Sequence, residues 1–353
     1  MFIKKLNFNN YNEIRRLILR NGLKVPTYRF WKKLWNDNEK KVGEGIFNNN
    51  KLVGYHSFFK KKIRFKKKFY NILVSSNWNV DKKYRNTSIV LLNRFFRENC
   101  DFYMTTTANK IVANIWKSYG AIEINNLGCK RIIFKVLNIN NFLKVFFIKK
   151  NIKLPFIMMS IISLFFKIYL LIFKNNKINK TLNYQPKILN LNKINHFNKY
   201  FENNSITPHE IRTKSNFSNY IKAISYNKKI YMIIFKEKNI MIGYAILVCE
   251  KLYNTQIKRM HLGQIRLLNN KYKYINEILE YLSMYSKKKD CALIEFRNLN
   301  KNLIKKLRFE NFFIRFLENN PYLLKFNNKN KNDIKSFFKN NLDTSYLDGD
   351  CLL

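Results

Sequence analysis

The chain has 353 residues, 46% hydrophobic and 16% aromatic, which supplies ample material for packed cores and excludes disorder over its whole length. Only 9 Gly and 5 Pro exclude a collagenous or linker-like chain, and the length exceeds the roughly 100–200 residues of one ordinary domain, so two domains are expected. Lys+Arg 67 against Asp+Glu 22 leaves a formal charge of +45, which points to anionic partners such as phosphates, acidic glycans, anionic lipid or RNA. Asn, Lys and Ile are overused throughout, so part of that charge is generic solvent-facing surface. Cys100, Cys129, Cys249, Cys291 and Cys351 form no CxxC pair and have no His at ligand spacing. Neither a zinc site nor a disulfide framework is expected, and a reducing, cytoplasmic setting fits. Residues 1–14 show no uninterrupted apolar run before a small-residue cleavage site, so no secretory signal is read there.

Strand and helix signals alternate over the first 136 residues. Phe2–Leu6 reads as a strand, and helical spacing of apolar residues predicts helices over Tyr11–Arg20 and Tyr28–Trp35. Gly43–Phe47 and Lys51–Phe59, joined by Asn48, Asn49 and Asn50, read as an antiparallel hairpin. Phe69–Val80 is a strand, Asp81–Ser88 a polar loop, Ile89–Glu98 a helix and Asp101–Thr106 a strand. Asn109–Tyr119 is a helix that Gly120 ends, and Arg131–Val136 is expected to close the unit as its last strand.

Residues 137–180 form an apolar connector. Within it, 154–173 reads LPFIMMSIISLFFKIYLLIF, about the length that spans hydrocarbon, with Lys residues before and after. Ser160, Ser163, Lys167 and Lys174 fall at helical spacing and predict a narrow polar stripe. Basic flanks on both sides give no orientation for a span. The expectation is a helix lying in a membrane surface or at a domain interface, with a buried core helix and a true span as the alternatives.

From about 181 the order repeats. Helical patterns over 194–201 and 217–223 precede a hairpin of 231–235 with 241–248. Strand 261–268, helix 275–286, strand 291–296 and helix 299–307 follow, and 312–317 with 322–326 read as closing strands. A repeat of this length is two copies of one fold.

Two stretches carry a resemblance. Asn77 to Leu92 is similar to the strand, V-x-x-x-Y-R-G-x-G-I turn and helix of the GCN5-related N-acetyltransferase superfamily, with Val80, Tyr84, Arg85 and Ile89 in place but Asn86 and Ser88 where that family has Gly. Thr107 to Glu123 resembles its later N-x-x-A-x-x-x-Y-x-x-x-G-F stretch. Asn109 and Gly120 match, Ala113 falls one place late, Trp116 takes the Tyr place and Ala121 the Phe place. The resemblance implies an α/β (α+β) chain of two tandem domains, each a mixed central sheet flanked by helices. These are an acyl-CoA-binding domain at 1–136, a helical connector at 137–180, and a second, degenerate domain at 181–353 with an acidic tail.

The resemblance further implies acetyl-CoA or another acyl-CoA as co-substrate. A polar turn ending in a helix start aims amides and the helix dipole at a diphosphate. Tyr84, Arg85, Asn86, Thr87, Ser88 and Asn109 are the implied binding residues, with Ser76, Asn77 and Trp78 lining the gap for pantetheine. The carboxylate and Tyr that many members use are missing, so His56 and Glu44 are the candidate bases and Tyr119 or Tyr84 the candidate acid. No metal is expected. The second half lacks the phosphate turn, and His261, Glu295 and Arg297 are its candidate acceptor contacts. The ending 342–353, with Asp348 and Asp350, resembles tandem acyltransferase-like proteins of surface-polysaccharide synthesis. The implied reaction is N- or O-acyl transfer to a sugar nucleotide or lipid-linked glycan intermediate, in the cytoplasm or peripherally on the inner face of the membrane. The alternatives are a Fem-type transferase using aminoacyl-tRNA, whose long helical arm is not seen here, and a non-catalytic membrane- or RNA-binding scaffold. Lys is spread widely rather than clustered with Arg and aromatics, which argues against nucleic acid.

Overall fold

The computed structural model describes residues 1–23, 25, 28, 43–65, 68–106, 108–124, 131–152, 154–173, 183–188, 209–211, 228–252, 255–297, 299, 301–308, 312–316 and 321–327. The helices expected over 194–201 and 217–223, that over 28–35 apart from Tyr28, and the acidic ending lie outside them. The architecture is the expected mixed α/β one: two mixed sheets flanked by helices.

The first sheet opens with β1 (Phe2–Leu6), β2 (Gly43–Asn48) and β3 (Lys51–Phe65), all antiparallel. Asn49 and Asn50 both have positive φ (46° and 58°), the backbone that a tight two-residue hairpin turn demands. Helix α1 (Tyr11–Arg20) lays Tyr11, Ile14, Leu17 and Ile18 against Leu52 and Tyr55 of β3, the face its apolar spacing predicts. Then comes β4 (Lys68–Val80), antiparallel to β3, and after a turn the helix α2 (Ser88–Phe95). Strand β5 (Phe102–Thr105) lies parallel to β4, and α3 (Lys110–Ser118) follows it. Gly120 ends α3 with φ +81°, a conformation that glycine adopts without penalty.

The second sheet repeats this plan. Its hairpin is β10 (Lys229–Glu237) with β11 (Ile240–Lys251), turned at Lys238 and Asn239, both again at positive φ. Strand β12 (Lys258–Leu267) pairs antiparallel with β11 and parallel with β13 (Cys291–Phe296), and α6 (Ile275–Lys288) connects the two. Helix α7 (Lys301–Lys306) follows. Ile278, Leu279 and Leu282 of α6 pack on Ile233, Leu247, Met260 and Leu262 to form the larger core. The short strand β8 (Asn183–Ile188) edges this sheet, and β9 (His209–Ile211) pairs with the outer part of β3. Neither had a clear signal in the sequence.

The closing strands depart from expectation. Strand β7 (Arg131–Val136), expected to finish the first sheet, is antiparallel to β13 in the second, where β14 (Phe313–Phe316) flanks it. Strand β15 (Leu323–Phe326), expected to finish the second sheet, lies between β5 and β6 (Ile122–Glu123) in the first. The two sheets thus exchange their equivalent strands. Side-chain links follow the exchange: Lys135 Nζ sits 2.8 Å from Glu280 Oε1 of α6, and Asn327 Nδ2 donates to the Cys100 carbonyl at 3.0 Å. A short apolar segment specifies a strand but not the sheet edge that receives it, and the receiving strands β5 and β13 are both buried along their whole length.

The connector is an antiparallel pair of helices, α4 (Ile139–Lys150) and α5 (Phe156–Phe173). The predicted polar stripe is broken. Ser163 is buried with its hydroxyl on Asn140, while Ser160 and Lys167 are exposed. Among the described residues no helix is long and apolar enough to cross a membrane.

Candidate active site

The site begins where β4 and β5 part. Their parallel pairing runs from Ile72 with Phe102 to Ser75 with Thr105 and stops, while β4 continues to Val80. A bulge in β4 sits at the same level: His56 pairs with Trp78 and Phe58 with Ser75, so Ser57 faces both Ser76 and Asn77. The displaced Asn77 amide is satisfied by the Ser57 hydroxyl at 3.1 Å. Where the pairing ends, the adjoining polar residues Ser75, Ser76, Thr105 and Thr106 are buried, and Asn77 and Trp78 are partly buried.

Three buried polar atoms here have no hydrogen-bond partner, His56 Nδ1, Thr106 Oγ1 and Trp78 Nε1. A buried unsatisfied donor or acceptor costs about 1–3 kcal/mol, so native interiors keep few of them without a reason. The resemblance places the gap along Phe102–Thr106 but does not single out Thr105 and Thr106 as site residues. Thr is an ordinary strand residue, and nothing local announces that the pairing ends there.

His56 is 1% exposed, with its ring 4.8 Å from that of Phe95 on α2 and 5.8 Å from that of Trp78. Its Nε2 lies 2.8 Å from Ser75 Oγ. Burial pushes its pKa down to about 4, against the opposing pull of the Leu91 backbone and the Glu44 charge, so the imidazole is neutral at pH 7. Gly43 on β2 lets the backbones approach at this point: a Cβ there would come 2.2 Å from the His56 carbonyl oxygen. Glu44 pairs across the ladder with His56, but its carboxylate is held by Arg94 of α2, at 2.6 Å from Nε.

The turn after β4 is a 3₁₀ turn, Lys82–Thr87, running directly into α2. No residue in it has positive φ, so Asn86 and Ser88 fill their positions without needing glycine. Two of its amides and one hydroxyl are used internally. The Tyr84 amide donates to Asp81 O at 2.8 Å, the Ser88 amide to Arg85 O, and the Thr87 hydroxyl to Tyr84 O at 2.7 Å. Arg85 and Asn86 are left with exposed side chains beside Lys82 and Lys83, and the Tyr84 hydroxyl accepts from Asn48 Nδ2 at 2.9 Å.

The remaining expected residues are not gathered at the gap. Asn109 caps α3, accepting from the Val112 amide at 2.9 Å. Tyr119 lies at the opposite end of α3, its ring tilted against that of Phe96 at 5.3 Å, about 13 Å along a nine-residue helix. Trp116, in the place of the family's Tyr, is wholly buried beside Phe95 and Phe96.

In the second sheet His261 is buried between two carboxylates, 2.7 Å from Glu250 and 3.2 Å from Glu295. Arg297 holds Glu295 at 2.8 Å and Lys228 holds Glu250 at 2.9 Å. Burial alone would raise both carboxyls, but the hydrogen bonds and charges of His261 and the surrounding cations hold them well below the usual range. The second phosphate-turn equivalent, Asn269–Tyr274, is also 3₁₀, and its Lys271 and Tyr274 are both engaged by Glu237. Among the described residues no group of three or more His, Cys, Asp or Glu is placed to hold a metal ion.

No protein-family model matches the sequence, and no curated protein matches it either. Solved structures do. A GCN5-related N-acetyltransferase from Anabaena variabilis superposes with a TM-score of 0.60 at 8% identity, over 92% of this chain and 72% of that one. A probable N-acyltransferase from Enterococcus faecalis gives 0.56 at 10% identity, again over 92% and 72%. The N-myristoyltransferase of Saccharomyces cerevisiae, solved with bound myristoyl-CoA, gives 0.52 at 12% identity, over 95% and 83%. At these identities the likeness is one of fold, and the fold is that of the GCN5-related N-acetyltransferases.

Proposed function

We propose that the chain is an acyl-CoA-dependent acyltransferase working at the gap between β4 and β5. The observation that carries this reading is the parting of those strands after Ser75 and Thr105, with the buried Thr106 hydroxyl and Trp78 indole left without partners beside it. A thioester and pantetheine amides would supply what those atoms lack. The diphosphate would fall to side chains, Arg85 and Asn86 with Lys82 and Lys83 adding charge, since the Tyr84 and Ser88 amides are bonded within the turn. Acetyl-CoA is the first acyl donor to test.

Transfer needs the acceptor's nitrogen or oxygen to bond to the thioester carbonyl carbon, the carbon–sulfur bond to break, and one proton to pass from acceptor to sulfur. The 2.8 Å contact of Ser75 Oγ with His56 Nε2 supports a relay for that proton, in which Ser75 Oγ takes it from the acceptor while giving its own to His56 Nε2. A buried imidazole is a weak base but a strong conjugate acid, suited to returning the proton to a departing thiolate. The acceptor we infer is a sugar nucleotide or a lipid-linked glycan intermediate, the latter met at the inner face of a membrane. The second sheet, with the helices packed on it, would form one wall of its cleft.

Calorimetric titration of the whole chain with acetyl-CoA tests the reading. Saturable binding, weakened on the order of tenfold or more in Arg85→Glu by the reversal of charge beside the phosphates, is the expected result. Absence of binding at millimolar ligand would leave a non-catalytic scaffold, a reading to which the hold of Arg94 on Glu44 already lends weight.

A further inference from the structure

Helix α5 is half a core helix. Its inner side is seated: Phe166 stacks on Phe142 of α4 (6.1 Å) and on Phe313 of β14 (5.9 Å), and Ser163 bonds Asn140. Its outer side carries Ile157, Met158, Ile161, Leu164, Phe165, Ile168, Tyr169, Leu171 and Ile172, each at least 41% exposed. At 100° per residue these nine fill one unbroken arc of about 160°, along a helix about 27 Å long. The exposed polar residues Ser160 and Lys167 both fall on one border of that arc. Monomeric soluble proteins rarely leave an apolar face of this extent in water.

We infer that this face lies in the surface of an anionic lipid bilayer, with α5 in the plane of the interface. Charge decides among the possible coverings. Lys144, Lys149 and Lys150 are exposed on α4, Lys167 borders the apolar arc, and Lys153, Lys174 and Lys177 flank the segment in sequence. A second copy of a +45 chain would bring these cations against themselves, whereas an anionic surface attracts each of them. Phe146, Ile148 and Ile152 extend the apolar surface from the neighbouring helix end. An amphipathic interfacial helix normally supplies its own polar face. Here the protein body takes that place, so α5 can be apolar over its whole outer half and still lie flat. This inference stands apart from the acyl-CoA reading.

The test uses the whole chain with sucrose-loaded vesicles of phosphatidylcholine alone or mixed with phosphatidylglycerol. The native chain should sediment with the mixed vesicles, less with neutral ones, and less at high salt. The double variant Leu164→Glu/Ile168→Glu, at exposed positions and checked for an unchanged thermal midpoint, should lose on the order of tenfold or more in partitioning. Lys149→Glu/Lys150→Glu should lose the preference for the anionic vesicles. Equal partitioning of native chain and apolar-face variant, or no partitioning of the native chain, overturns the inference. So does a native dimer, seen by sedimentation equilibrium, that the apolar-face variant dissolves while neither binds vesicles.

Discussion

Leu323 of β15 is the antiparallel partner of Thr105, the residue at which β4 and β5 part. The strand that closes the candidate site therefore arrives from the far end of the chain, while the site's own half sends β7 into the other sheet. A swap in both directions makes the two sheets interdependent: removing either half takes an interior strand from the other. A chain cut after residue 188 should fail to give a cooperative thermal transition. Leu323→Ala in the whole chain, at a wholly buried position, should cost about 2–5 kcal/mol and increase hydrogen exchange at Thr105 and Thr106. Independent folding of 1–188 would refute the interdependence.

Much of this fold was legible because its signals are local. Apolar runs marked β4, β11 and β13, helical spacing marked α1, α3 and α6, and paired Asn residues marked the first hairpin turn. The exchange was illegible because Arg131–Val136 and Leu323–Phe326 are both short, mainly apolar segments that carry no address for one sheet over the other. At the site, the resemblance pointed to Ser76, Asn77 and Trp78 at the parting strands. Thr105 and Thr106 were hidden because their role comes from where a neighbour's pairing ends. That Glu44 is paired with Arg94, and that Tyr119 sits at the far end of α3, depend on helix placement that spacing does not encode.

The buried imidazole of His56 sets a pH dependence. Its pKa in the folded chain, about 4, lies below the ordinary 6.5, so between those values the unfolded chain binds a proton that the folded chain refuses. Stability is full above pH 6.5 and falls as pH drops toward 4, by about 3 kcal/mol at most. Glu250 and Glu295 are also held low, but their stabilisation fades only as pH falls below the ordinary carboxylate value of 4.5. Thermal midpoints between pH 7 and 5 should therefore fall less steeply in His56→Gln than in the native chain. Parallel slopes would show that His56 is not the group concerned.

Arg94 is nearly half exposed, yet its partner Glu44 is buried against β3. Arg94→Leu deprives a buried carboxylate of its guanidinium and should cost about 1–3 kcal/mol, the exposure of Arg94 keeping it below the larger losses of wholly buried pairs. Glu44→Gln in the same chain should restore part of that loss, since a neutral amide is easier to bury than a carboxylate that has lost its guanidinium. Denaturant midpoints of both single variants and the double variant decide this. Strictly additive losses would mean that the pair does not interact.

Thr106 separates stability from function. Its hydroxyl is buried and has no partner, so Thr106→Val, which keeps the branched shape and removes only the polar atom, should leave stability unchanged or raise it by about 1 kcal/mol. A residue retained for the fold alone would respond the other way, because losing a satisfied hydroxyl destabilises. If the hydroxyl waits for a ligand in the gap, the same variant should bind acetyl-CoA on the order of five- to tenfold more weakly, the equivalent of one lost hydrogen bond. Ser76→Ala, in the same gap, supplies the comparison. A Thr106→Val chain that is less stable and binds acetyl-CoA unchanged would remove Thr106 from the site and, with it, one of the two orphaned atoms on which the placement of the thioester rests.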